Sequence, residues 1–409
     1  MLSNLQKSPI VTSNAPLLRA LVIRFLRVLL GISLSVLITR NLGIEILGQF
    51  AAVEKYIGTA LVASSVYTLP YVVSRFAKAR EICTHVLRTH AGLYAVIIVT
   101  MIICVLLSST EPTIETPWIF FALGGLFEVT LLTLSFFLVA SKRIELAGLA
   151  ETTLKLFLLN AIVLVFGTKL NFTTLALVYF IACSVSLATV FWLALRGNNA
   201  QLLRTHPVPK IDFYFYSSRL VNFILRNANI LLASFILSSA EVGHYSIAIK
   251  ISFAFALLYQ ITTNWRFPHI QAALDNKTPL NFMVTTSRFC FLFSVIIFVL
   301  IAANFSTVIS FWGFNAPEIR SYFIILVLGQ IVNVCVGPVE QVLLLVGDAQ
   351  WNAKFNVVSL VCQASAMTYF GIVCGIYGVL GAEIVTFIAG NIVRYARLRA
   401  QHNIVVGCY

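Results

Sequence analysis

Charge is what this sequence has least of. Of 409 residues only 11% are Asp, Glu, Lys or Arg, against about 25% in a soluble domain. Acids are the scarcer kind, 15 against 28 Lys and Arg. With 59% hydrophobic residues and a mean hydropathy of +0.93, almost no room is left for a soluble domain. The composition implies an all-α polytopic membrane protein. Its net charge of +13 does not call for nucleic acid, because cytoplasmic loops of membrane proteins are basic in any case.

Other absences narrow the function. The eight cysteines are scattered and none forms a CxxC pair, so they read as small apolar residues rather than metal ligands or disulfides. The six histidines read as lying in loops or at helix ends, with no two at ligand spacing on one helix face. There is no Gly-rich phosphate loop ending in Lys-Ser/Thr and no Gly-x-Ser-x-Gly elbow. The loops expected outside the cytoplasm are a handful of residues each, too short to carry the catalytic groups of a membrane polymerase. Neither a metal nor a cofactor is called for, and the expectation is a carrier rather than an enzyme. Residues 1–16 lack the ordered parts of a cleavable signal and read as a short cytoplasmic tail.

What the sequence does have is apolar runs. A bilayer core takes about 20 apolar residues per helix. Twelve stretches qualify: 18–39, 46–73, 91–109, 117–140, 146–166, 172–195, 217–238, 243–267, 288–311, 320–346, 353–374 and 378–397. Pro70, Pro117, Pro268 and Pro338 stand where kinks or helix ends are expected. Of the 28 cations, 19 fall on one side of these spans, including Arg394, Arg397 and Arg399, and 3 on the other. That asymmetry places both termini in the cytoplasm.

The remaining six cations, Arg24, Arg27, Lys55, Lys155, Arg226 and Lys250, lie inside the spans. A cation in hydrocarbon costs about 2.5–3.5 kcal/mol on insertion scales. Arg27 sits roughly 13 Å into its helix by rise per residue, too deep to reach the surface easily. So many embedded cations imply a water-filled, positive cavity and an anionic substrate. Glu151 and Lys155 are four apart and read as a local ion pair. Glu128, Glu340 and Glu383 are embedded acids, read as neutralising partners for the arginines or as groups that titrate in ion coupling.

Polar residues form stripes at helical spacing. The first span carries Arg24, Arg27, Gly31, Ser35 and Thr39; the seventh carries Arg219, Asn222, Arg226 and Asn229. The tenth carries Gln330, Asn333, Gly337 and Glu340, the eleventh Asn352, Asn356, Ser359 and Gln363, and the twelfth Glu383, Thr386, Gly390 and Arg394. Such stripes face protein or water. An internal repeat accompanies them. At an offset of 195, Gly48 falls on Gly243, Phe50 on Tyr245 and Lys55 on Lys250. This divides the chain into lobes 1–200 and 201–409, six spans each, sharing one orientation and related by an axis along the membrane normal.

These residues resemble a known family. The run Arg40-Asn-Leu-Gly-Ile-Glu-Ile-Leu-Gly-Gln-Phe50 resembles the hairpin that ends the first span of polysaccharide flippases. Arg226-Asn-Ala-Asn-Ile-Leu-Leu and Glu241-Val-Gly-His-Tyr-Ser-Ile-Ala-Ile-Lys250 resemble the signature of their seventh and eighth spans, and Gly337-Pro338 resembles their tenth. The match is to the Wzx-type O-antigen and capsule flippases of the multidrug/oligosaccharidyl-lipid/polysaccharide (MOP) superfamily. It departs at Asn229, where the signature often has Asp, and the chain lacks the two additional spans of lipid II flippases.

The resemblance implies a MATE/MOP-like fold of twelve transmembrane helices in two six-helix lobes around a central cationic cavity. The cargo it implies is an oligosaccharide on undecaprenyl pyrophosphate, carried across the bacterial inner membrane by alternating access. Arg24, Arg27, Lys55, Arg226 and Lys250 would hold the pyrophosphate; Asn222, Asn229, Gln330, Asn333 and Glu340 would line the cavity. Glu128, Glu340 and Glu383 are the candidates for coupling to a proton or sodium ion. A polysaccharide polymerase or chain-length regulator is the expected kind of protein partner. Two alternatives stand beside this: a multidrug antiporter of the same superfamily, and an integral-membrane polymerase or acyltransferase.

Overall fold

The computed structural model describes residues 9–65, 82–108, 116–140, 144–196, 203–204, 213–276, 278–313 and 317–408. Helices dominate, as 20-residue apolar runs require: in lipid every backbone polar group must be satisfied within the segment. The chain divides into two compact units, one of Met1–Leu42 with Tyr56–Tyr216 and one of Gly43–Lys55 with Ser217–Tyr409. The segment Gly43–Lys55, which the sequence repeat assigns to the first half, groups with the second.

The first unit holds α1 (Pro9–Leu42), the later part of α2 (Ile44–Ser64), α3 (Thr84–Ser108) and α4 (Thr116–Ala140). It continues with α5 (Ile144–Gly148), a wide π turn (Leu149–Thr153), α6 (Leu154–Phe166) and α7 (Phe172–Arg196). Strands β1 (Ile82–Cys83) and β2 (Leu203–Arg204) pair in parallel over two residues each. The polar stripe of α1 faces inward along its second half. Ser35 and Thr39 are buried, their hydroxyls donating to the carbonyls of Ile32 and Ser35. Val22, Phe25, Leu26 and Leu29 point outward. Asn160 of α6 donates to the Leu30 carbonyl at 2.9 Å, fixing α6 against α1.

The second unit holds the start of α2, then α8 (Phe213–Ile236), α9 (Ser239–Asp275), α10 (Asn281–Ala303) and α11 (Phe305–Ser310). After these come α12 (Glu318–Val336), α13 (Val339–Leu345) and α14 (Ala349–His402). Gly337 and Pro338 separate α12 from α13, whereas α9 runs through Pro268 unbroken. Gly375 has φ 60° and ψ −143° inside α14, the one non-helical residue there. It folds α14 back on itself, so that Asp348 meets Arg397 and Asn352 meets Arg394. At the start of this unit, Gly48 of α2 and Gly243 of α9 pack on each other. A Cβ on Gly48 would overlap the Ser239 carbonyl and one on Gly243 the Ile44 carbonyl. Small residues let membrane helices approach this closely.

The burial pattern is that of a protein dissolved in lipid. The inner face of α10 carries Met283, Thr286, Ser287, Cys290 and Ser294. Its outer face carries Phe289, Leu292, Ile296, Val299 and Leu300, each more than half exposed. Large apolar groups outward and small or polar groups inward would be unfavourable in water and are natural in a bilayer. Six helical stretches among the described residues are long and apolar enough to cross a membrane: Phe25–Leu42, Pro117–Ser135, Phe172–Leu193, Asn281–Ala303, Glu318–Leu345 and Gln350–His402. The last includes the fold-back at Gly375. The chain is a multi-pass membrane protein.

One expectation about histidine is corrected. His90 lies in the second turn of α3, fully buried, with Nδ1 2.8 Å from Thr133 Oγ1 of α4. An adjacent helix supplies the partner that tolerates a buried imidazole, and no sequence spacing reveals it.

Candidate functional site

In the first unit, Lys155 is the most deeply buried of the described embedded cations, 4% exposed. Just before it lies the π turn, where Leu154 N–H donates to the Leu149 carbonyl five residues back. That wide turn breaks the 3.6-residue register on which face-sharing depends. Lys155 Nζ donates to Glu128 Oε1 of α4 at 2.7 Å. The Tyr179 hydroxyl of α7 donates to the other carboxylate oxygen, and its ring lies 5.0 Å from the ammonium. Among the described residues Glu128 therefore neutralises a lysine rather than an arginine, and breaking such a buried pair by removing one partner is costly. The Glu151 side chain lies outside the described residues.

In the second unit Glu383 of α14 receives two donors. Asn229 Nδ2 of α8 reaches its Oε1 at 2.7 Å, and the Tyr245 hydroxyl of α9 reaches its Oε2. Asn229 is oriented by its own Oδ1, which accepts Ile230 N–H at 2.8 Å. Its two described partners are an amide and a phenol, where Glu128 has an ammonium and a phenol. Asn229, assigned to the cavity lining from sequence, is 8% exposed and committed to this carboxylate.

Lys55 of α2 and Lys250 of α9 share the second unit. Both are half-buried, and Lys250 lies within electrostatic reach of Lys55 and of Glu54. The two lysines are the repeat-matched pair. Arg27 is half-buried on α1 of the first unit. The side chains of Arg24, Asn222 and Arg226 lie outside the described residues. Gln330 on α12 and Glu340 on α13 are half-buried. Asn333 of α12 accepts a hydrogen bond from Asn391 Nδ2 of α14 at 3.2 Å.

Arg394 is not the loop cation that the charge count made it. It is 7% exposed, donates from Nε to Asn352 Oδ1 at 3.2 Å and from Nη2 to Asn356 Oδ1, and lies 5.0 Å over the Phe355 ring. A turn further on, Arg397 donates to both carboxylate oxygens of Asp348 and covers Trp351 at 5.3 Å. Trp351 and Phe355 stack at 5.1 Å. The stripes of the eleventh and twelfth spans therefore act here as a clasp that closes α14 on itself.

Tyr179 and Tyr245 are the site residues that the sequence reading missed. Each reads as an apolar aromatic in a hydrophobic run, and only the opposing glutamate gives its hydroxyl a role. The repeat alignment did match Tyr245 to Phe50, which offers no such donor.

No family model and no curated relative matches the sequence. Solved structures do. An outward-facing multidrug resistance MATE transporter of the MOP superfamily superposes with a TM-score of 0.63 at 12% identity, covering 94% of both chains. The fold is that of the MATE transporters. An inward-facing multidrug resistance MATE transporter gives 0.61 at 12% identity over 92% of this chain and 94% of the other. A Pyrococcus furiosus MOP-superfamily transporter, described as having a binding pocket of reverse polarity that suggests a different function, gives 0.62 at 14% identity over 94% of each chain.

Proposed function

We propose that this chain is a flippase that moves an oligosaccharide on undecaprenyl pyrophosphate across the bacterial inner membrane. In this reading the MATE fold provides twelve spans in two six-helix lobes that alternate access, with both termini cytoplasmic, and the protein is a carrier without catalytic activity. The observation that carries the reading is that the embedded, repeat-matched Lys55 and Lys250 lie within electrostatic reach of each other in one unit. A pyrophosphate is the kind of group that two neighbouring ammonium groups would hold. Arg27 and the arginines at 24 and 226 would add bidentate donors to phosphate oxygens. Lys155 takes no part, since Glu128 already neutralises it. Anion binding screens the repulsion among the cations, which favours the closed arrangement over the open one and so couples binding to switching.

The precedent of a MOP transporter described by a pocket of reverse polarity supports a superfamily member whose cargo differs in charge from cationic drugs. A multidrug antiporter remains the second reading because of one feature, the carboxylate of Glu383, whose described partners carry no charge. Such a group suits cation or proton exchange.

The test is complementation. Arg27→Ala and Lys250→Ala, introduced separately in a strain lacking its own O-antigen flippase, are expected to abolish surface polysaccharide while membrane levels of the protein stay normal. Normal polysaccharide from both variants would remove the cationic site from the account. Loss of drug resistance with intact polysaccharide would favour the antiporter.

A further inference from the structure

The second unit contains a helix break that another part of the chain closes. Between α12 and α13, Gly337 adopts φ 89° and Pro338 offers no N–H. The Val339 N–H, which a continuous helix would give to the Cys335 carbonyl, turns to the Gly337 carbonyl at 2.8 Å. The Cys335 carbonyl is thereby stripped of its helical donor, in a membrane segment where an unpaired carbonyl is costly.

The donor comes from the segment after α14. Asn403, at φ 53°, ends that helix in the left-handed conformation and turns the chain back. Cys408 N–H then donates to the Cys335 carbonyl at 2.8 Å. Two glycines make the approach feasible. A Cβ on Gly407 would lie 2.7 Å from the Cys335 carbonyl oxygen and 2.8 Å from that of Val336; a Cβ on Gly337 would lie 2.5 Å from the Val406 carbonyl oxygen. A third helix holds the segment from the other side. Ser287 Oγ donates to the Val406 carbonyl at 3.0 Å and Arg288 Nε to the Cys408 carbonyl at 3.2 Å, both from α10. Val406 is fully buried in a core with Val336, Val339, Val342, Leu343 and Leu398.

We propose that Asn403–Cys408 is a latch: seated, it fixes the angle between α12 and α13 at the Gly337–Pro338 break, and released, it frees α13 to move. A break in a membrane helix is a ready hinge, and a short segment with its own hydrogen bonds and one buried valine is a small cooperative unit that can open separately from the rest. Neither the break nor the latch depends on the cargo, so its failure leaves the flippase reading untouched.

Hydrogen–deuterium exchange on the full-length protein in nanodiscs tests it. Gly407→Ala, whose methyl collides with two carbonyls, is expected to raise exchange by about tenfold over both 404–408 and 334–346, with 227–236 unchanged. Arg288→Gln, which removes one donor without adding bulk, should shift the same two segments in the same direction by less. Locking gives the opposite sign. Cys335 and Cys408 side chains are neighbours, so copper(II) phenanthroline can join them. Each thiol loses a proton, the two sulfurs bond, and two electrons pass to copper. Peptide mapping confirms the 335–408 link, which should lower exchange over 334–346, with reversal by dithiothreitol. Exchange raised in 404–408 alone, or a linked protein whose 334–346 region exchanges as before, would overturn the proposal. If Gly407→Ala does not fold, Arg288→Gln and the link decide.

Discussion

Lys155 illustrates what a membrane interior demands of a cation: a carboxylate at 2.7 Å and an aromatic face at 5.0 Å. Breaking such a pair by removing one partner costs about 3–5 kcal/mol, while replacing both by apolar groups of similar size is often neutral. Glu128→Gln is therefore expected to lower the apparent melting temperature and folded yield sharply, and Glu128→Leu with Lys155→Met to recover most of the loss. Thermal unfolding in detergent, read as a double-mutant cycle, measures the coupling. The contact between Lys155 and Glu128 was not legible in the sequence, because Glu128 lies on another helix and no spacing along the chain reveals it. At the membrane edge Asp348 gives a pH-dependent counterpart. Hydrogen bonds from Arg397 and His402 hold its carboxyl below the ordinary value of 3.8. A carboxyl whose folded pKa is depressed contributes stability above its unfolded pKa, and loses it as pH falls through the folded value. Asp348→Asn should thus be less stable than the parent near neutral pH, and the margin should shrink as pH falls below about 4. A margin independent of pH down to 3 would contradict the assignment.

At the scale of elements, glycine does two separate jobs. Gly375 meets no neighbouring atom where a Cβ would stand, yet its φ of +60° is one that other residues rarely adopt. Gly375→Ala isolates backbone strain, expected to cost about 1–3 kcal/mol. Gly381 also has open space, at an ordinary helical angle, so Gly381→Ala is expected to be neutral or stabilising by about 0.5–1 kcal/mol. Apparent melting temperatures of the two variants give the comparison. Gly48 and Gly243 do the other job, close approach of α2 and α9, and alanine at either should loosen that contact. Helix positions were legible in hydropathy: spans expected at 117–140 and 172–195 correspond to helices Thr116–Ala140 and Phe172–Arg196. The break at Pro338 was legible as well, because proline removes a donor. Pro268 shows the limit, since α9 passes through it. Helical spacing did put Arg394 on the polar stripe of the twelfth span although the charge count placed it in a loop; that its partners are Asn352 and Asn356 follows only from the fold-back of α14.

For the whole molecule, the deciding quantity is the balance of embedded charge. Glu128 cancels Lys155, the amides of Asn352 and Asn356 receive Arg394, and Glu54 stands beside both Lys55 and Lys250. The repeat offset of 195 singles out those two lysines, and the structure puts them within electrostatic reach of each other in one unit. What the sequence could not convey was the grouping of Gly43–Lys55 with the second unit, since chain order says nothing of which neighbours a segment packs on. The central claim is that these cations serve an anionic, lipid-linked cargo, and reconstitution tests it most directly. Proteoliposomes loaded with an undecaprenyl-pyrophosphate oligosaccharide are sampled for sugar exposed to an added glycosidase. The parent protein should expose inner-leaflet sugar well above protein-free vesicles, and Lys250→Ala should slow this at least about tenfold, equivalent to roughly 1.4 kcal/mol. Equal rates for Lys250→Ala and the parent, or no exposure above protein-free vesicles by a correctly folded parent, would contradict the claim.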